Sequence, residues 1–116
     1  MILGLRSVVC PTPDLKASKE FFVGLLGESP SFDEPYYVGF SIGGYELGLD
    51  PDAPIADGAI GYWAVADIEV SLQRLVAAGA TLRSGVQDVG EGVRVATVVV
   101  PGGSIVGIIE DSHRGV

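Results

Sequence analysis

Cysteine occurs once in the 116 residues, at Cys10, so no internal disulfide can form. A lone thiol suits a reducing compartment. Histidine also occurs once, at His113, in a tail (111–116) that reads as frayed and solvent-exposed. Lysine and arginine total seven against fifteen acidic residues, a net charge of −8, and the cations are scattered from Arg6 to Arg114. Nucleic-acid binding needs a concentrated basic surface, and anionic membrane surfaces would repel this charge; both classes are set aside. No apolar run approaches the roughly 20 residues that span a bilayer. The first residues, MILGLRSVVCPTPD, carry one cation and reach their prolines too early for a secretory segment. The expected location is the cytoplasm.

Against these shortages stand 47% apolar residues and only 19% charged ones, enough for a core in one domain spanning residues 1–116. Seventeen glycines fall at turns and inside strand patterns, which points to bent and closely approached strands.

Leu3–Val9 reads as a strand, broken by Cys-Pro-Thr-Pro. Asp14 is placed to cap a helix with Leu15, Phe22, Leu25 and Leu26 on its buried face and Gly27 at its end. A short edge strand at Ser31–Glu34 precedes Tyr36–Ile42, a Gly43-Gly44 hairpin and Tyr45–Leu49. Residues 51–58 form an aperiodic linker, where Asp50 and Asp52 suit turn chemistry. Ala59–Val65 is the next strand, with Trp63 directed toward a helical layer. Asp67 caps a helix whose stripe is Ile68, Leu72, Leu75 and Val76, and Gly79 stops it. Strands are expected at Thr81–Val89, Val93–Val100 and Ser104–Glu110, separated by glycine-rich turns.

The order β-α-β-β-β therefore occurs twice. Placing Asp14 on Asp67 also aligns Leu15 with Ile68, Ser18 with Ser71 and Phe22 with Leu75, while Gly43-Gly44 answers Gly102-Gly103. A duplication with module one at about 1–50 and module two at about 59–112 explains this better than two similar helices arising by coincidence.

With those motifs the chain resembles the vicinal oxygen chelate superfamily of glyoxalase I, bleomycin-resistance proteins and extradiol dioxygenases. The resemblance rests on the strand–Pro–Asp-Leu–helix of Ser7–Gly27, the strand–Asp-Ile–helix of Ile60–Gly79, and the Pro-Gly-Gly-Ser turn before the last strand. It implies an α+β fold in which two βαβββ modules form curved mixed sheets around a cleft, and it implies a homodimer. Metal-dependent members of that family carry His or Glu ligands on cleft-facing strands. Their positions fall here on Ser7, Ile60, Gly107 and either Glu46 or Gly48, so a single carboxylate remains and no metal or other cofactor is expected.

The ligand-binding candidates that follow are Ser7, Glu46, Ile60, Tyr62 and Arg94. Glu46 interrupts an apolar strand, and a buried carboxylate must face water, pair with a cation such as Arg6 or Arg94, or meet a ligand. It is also the one candidate for a catalytic base. Arg94, inside a β-branched strand, could clamp an anion. Cys10 lacks a neighbouring base and reads as a small apolar residue. The tyrosines and phenylalanines show no cage pattern for a cation. The expected function is metal-free sequestration of a small amphiphilic or aromatic molecule. The alternatives are a glyoxalase-type lyase, isomerase or epimerase using Glu46, and a dimeric interaction domain with a vestigial cleft.

Overall fold

Two aspartates open the two helices. In the computed structural model, which describes residues 2–112, Asp14 accepts a hydrogen bond from the Ala17 amide at 3.1 Å and starts α1 (Leu15–Leu26). Asp67 accepts from the Val70 amide at 3.2 Å and starts α2 (Ile68–Ala77). Each carboxylate satisfies an amide that has no partner within its own helix. Gly27, at φ 70°, ends α1 by donating to the Val23 carbonyl. Gly79 (φ 113°) ends α2, donating to Val76 while Ala80 donates to Leu75. Left-handed backbone is cheap for glycine, so both stops were written in the local sequence.

Eight strands complete an α+β fold with a mixed sheet: β1 (Ile2–Pro11), β2 (Phe32–Glu34), β3 (Tyr37–Ile42), β4 (Tyr45–Asp50), β5 (Ile60–Val65), β6 (Thr81–Gly90), β7 (Val93–Val99) and β8 (Ile105–Asp111). The chain divides into two compact units, residues 7–60 and residues 1–6 with 61–116.

In the unit of residues 7–60 the strand order is β2-β3-β4-β1, with β1 parallel to β4 and the other neighbours antiparallel. Gly43 and Gly44 turn the β3–β4 hairpin at φ 57° and 86°, the positive values a two-residue hairpin demands. One sheet face buries Val38, Phe40 and Leu49 against Leu15, Phe22, Val23 and Leu26 of α1. Leu25, expected in that stripe, is 65% exposed, because α1 settles on its Val23 side. The other face carries Ser7, Gly39, Glu46 and Gly48, since neighbouring strand residues point to opposite sides.

In the second unit β5, β8, β7 and β6 are neighbours in that order, and β5 runs parallel to β8. The first strand of each β-α-β-β-β segment thus lies parallel to its last, which is the duplication seen as topology. Val65, Ile68, Ala96 and Ile108 form the core, with Leu72, Leu75 and Val86 against it. Val76 is exposed instead, and Ser71 takes a buried place on α2. Trp63 departs from expectation too: it is 39% exposed and lies outside the α2 cluster, although Ile108, its direct partner on β8, belongs to that cluster.

The linker contains a 3-10 turn at Ile55–Asp57, and the Asp52 amide donates to Asp50 Oδ1 at 2.9 Å, an Asx-type turn. Among the described residues no helix is long and apolar enough to cross a membrane. His113 lies outside the described residues.

Candidate functional site

Parallel pairing of β1 with β4 sets Ser7 directly opposite Glu46, and antiparallel pairing sets Ser41 on Glu46's other side. The buried Ser7 hydroxyl donates to Glu46 Oε1 at 2.8 Å. A hydroxyl-to-carboxylate bond of this length is charge-assisted, and it fixes the direction of a half-buried carboxylate. The two cations named as possible partners for Glu46 each hold carboxylates of their own. Arg6 pairs with Asp111 at 2.7 Å, and Arg94 pairs with Glu110 and Glu69.

Two glycines make the floor beside this pair. Gly39 and Gly48 face each other across β3 and β4. A Cβ on Gly48 would stand 1.8 Å from the Tyr37 hydroxyl oxygen, so the phenol lies flat where a side chain would rise. A Cβ on Gly39 would stand 3.1 Å from Glu46 Oε2, 3.5 Å from Tyr37 Cε2 and 3.7 Å from Phe32 Cβ. The Glu46 carboxylate, the Tyr37 ring and the Phe32 Cβ therefore close over two buried glycines. Phe32 in turn meets Tyr36 and Tyr37 edge-on, with centroid separations of 6.0 and 6.2 Å.

The second unit repeats one part of this arrangement. Tyr62 lies opposite Gly107 on the β5–β8 ladder, and a Cβ there would fall 2.4 Å from the Tyr62 ring. Ile60, the last residue of the 7–60 unit, is buried at the start of β5.

Arg94 belongs to a different system. Its Nη2 and Nε donate to Glu110 at 3.0 and 3.3 Å and its Nη1 donates to Glu69 at 2.9 Å. The same Glu110 accepts from the Ile68 amide at 3.0 Å, tying β8 to the start of α2. Its two carboxylate partners, Glu110 foremost, hold the Arg94 guanidinium above its ordinary pKa. This is a fastening between strand and helix, and the geometry lends the anion-clamp expectation no support. Cys10 packs against the α1-facing core, and burial raises its thiol pKa. A raised value makes a poor nucleophile.

The donor set does not fit a divalent metal of the kind the resemblance implied. Of the positions concerned, Ser7 offers a neutral hydroxyl already given to Glu46, Ile60 offers no donor, and Gly48 and Gly107 are roofed by tyrosine rings. Among the described residues no three His, Cys, Asp or Glu side chains gather into a possible metal site.

Ser7 and Glu46 were visible as candidates from sequence, whereas Phe32, Tyr37, Gly39 and Gly48 were not. Their signal was glycine within strands, and it became specific only once the register paired Gly39 with Gly48.

No protein-family model and no curated protein sequence matches the chain. Solved structures do. A glyoxalase/bleomycin resistance protein/dioxygenase superfamily member from Vibrio splendidus 12B01 superposes with a TM-score of 0.68 at 24% identity, covering 92% of this chain and 98% of that one. A methylmalonyl-CoA epimerase variant from Streptomyces coelicolor, in complex with 2-nitronate-propionyl-CoA, gives 0.73 at 15% identity, covering 97% and 99%. An Mn(II)-bound glyoxalase from Novosphingobium aromaticivorans gives 0.73 at 15% identity, covering 96% of this chain and 38% of that one. Likeness at these identities speaks to architecture, and with the duplicated β-α-β-β-β order it is decisive there. The chain has the vicinal oxygen chelate fold, as built in glyoxalase and bleomycin-resistance proteins.

Proposed function

We propose that the protein binds a small molecule, without a metal, on the sheet face that carries Ser7, Glu46 and Tyr37. The observation that carries this reading is a half-buried Glu46 carboxylate, oriented by the buried Ser7 hydroxyl and set beside Tyr37 on the face turned away from α1. Aromatic surface around a few oriented polar groups is the usual composition of a ligand site. Glu46, aimed by Ser7, supplies directional recognition. Tyr37 and Phe32 supply apolar contact area.

A second reading rests on the same carboxylate. A half-buried glutamate held at a defined angle can remove a proton from a bound substrate. The vicinal oxygen chelate fold is shared with a methylmalonyl-CoA epimerase, whose name describes inversion at carbon. Glu46 would then be the base of an isomerase or epimerase.

The test is a thermal-shift screen against a broad metabolite set, with the protein pretreated with a chelator. Ligands that raise the melting temperature of the wild-type protein and lose that effect in Glu46→Gln support the proposal. A screen with no stabilising compound overturns it. Turnover of a hit that vanishes in Glu46→Gln selects the second reading over sequestration.

A further inference from the structure

We infer that the outer face of α1 is a self-association surface, on which a second copy of this chain packs its own α1 antiparallel across a two-fold axis. Leu15, Phe22, Val23 and Leu26 turn toward the core of their unit, and the other side of the helix carries Ala17, Phe21, Gly24 and Leu25, all exposed. Phe21 and Leu25, four residues apart, are neighbours along the helix and stand 61% and 65% open to solvent. The Phe21 ring meets Phe22 edge-on at 5.2 Å and is left uncovered.

Gly24 is the residue that points to a partner. Glycine inside a helix costs about 1 kcal/mol relative to alanine. Nothing within the chain asks for it there: the backbone is helical, and a Cβ at this position would meet no atom within 4 Å. A side chain arriving from outside explains the bare spot, and Phe21, three residues away on the same face, is a knob suited to such a gap. Knob and gap on one helix are self-complementary, as an isologous two-fold contact requires. With the axis midway between them, each Phe21 ring lies over the other copy's Gly24.

The charges agree with that register. The same axis brings Lys16, in the first turn, beside the other copy's Glu28, which follows the helix-ending Gly27. Lys16 and Glu28 are exposed, and neither holds an ion pair among the described residues. Symmetry makes two such pairs. Parallel packing would instead set lysine on lysine and glutamate on glutamate. Antiparallel packing also places the positive end of each helix dipole beside the negative end of the other. A twelve-residue helix offers a face about 18 Å long and 10 Å wide. That is small beside the roughly 800 Å² per partner of a standard interface, so the dimer is weak and forms at high concentration.

Sedimentation equilibrium of the intact protein between about 10 μM and 1 mM reads this directly. The mass should rise from monomer toward dimer, with a dissociation constant on the order of 10⁻⁴ M. Phe21→Ser and Leu25→Ser should each weaken association at least about tenfold. Both residues are exposed, so the melting temperatures in dilute solution should stay near that of the wild type. Gly24→Gln separates a packing role from a helical one. Glutamine is the better helix former, so dilute stability should hold or rise, while its side chain fills the gap and weakens the dimer at least about tenfold. At low ionic strength Lys16→Glu should weaken the dimer by about three- to tenfold, and adding Glu28→Lys should restore it. A monomer throughout the range overturns the inference. So does a dimer indifferent to Phe21→Ser, Leu25→Ser and Gly24→Gln, or a loss in Lys16→Glu that the second exchange leaves uncorrected.

Discussion

Tyr37 occupies the space that a side chain at Gly48 would need: its hydroxyl oxygen lies 1.8 Å from where the Cβ would be. The pairing is as specific as a core contact, though it forms on the face turned away from the helix. Gly48→Ala is therefore expected to destabilise the protein by about 1–3 kcal/mol through overpacking. Urea denaturation measures it, and the double variant with Tyr37→Leu should recover part of the loss, which identifies the tyrosine as the source. Gly107→Ala should behave in the same way through Tyr62. Gly85→Ala, in a strand with nothing within 4 Å of a new Cβ, should be neutral or slightly stabilising.

The helix caps offer a cleaner number. Asp14→Ala and Asp67→Ala each remove one side-chain acceptor from an otherwise unsatisfied first-turn amide. Each should lower stability by about 1 kcal/mol. Asn at either position should retain most of it, since the amide oxygen can accept the same bond.

How much of this was legible in the sequence divides along the range of the interaction. Asp14, Gly27, Asp67 and Gly79 act within one helical turn, so their identity and position were sufficient. Gly43-Gly44 likewise states its own turn. The Ser7–Glu46 bond joins residues 39 positions apart and depends on the β1–β4 register. From sequence, Arg6 and Arg94 were equally reasonable partners, because charge alone cannot say which strand faces which. The roofing of Gly48 by Tyr37 needed the register and a side-chain direction together. Trp63 shows the limit of strand alternation: it can assign a face, but not how much of a large ring is covered, even opposite the buried Ile108.

Glu110 and Glu69 should separate sharply although both bind Arg94. Glu110 also accepts from the Ile68 amide, and losing a carboxylate acceptor for that amide should cost about 1–3 kcal/mol in Glu110→Ala. Glu69 is 65% exposed and reaches only one guanidinium nitrogen. Glu69→Ala should change stability by less than about 0.5 kcal/mol, with the remaining difference reduced by salt. Thermal melts of both variants at low and high ionic strength check the order.

Cys10 predicts a pH dependence with a definite sign. Burial raises its folded pKa, so the folded protein holds the thiol proton where the unfolded chain has released it. Its contribution to stability is complete below the ordinary thiol range, about 8.5, and is lost as pH rises through the folded value. The wild-type protein should lose stability on the alkaline side more steeply than Cys10→Ala, as read from denaturation midpoints across that range. Alkylation of the native thiol should also be slower than that of the unfolded chain.

Metal-independent binding at the Ser7–Glu46–Tyr37 face is measured by isothermal titration of the strongest ligand from the screen into chelator-treated protein, wild type beside Glu46→Gln. Chelation should leave the affinity unchanged, and the glutamine variant should weaken it by about tenfold, the worth of one hydrogen bond to a charged group. Binding that disappears on chelation, or that is indifferent to residue 46, would contradict it.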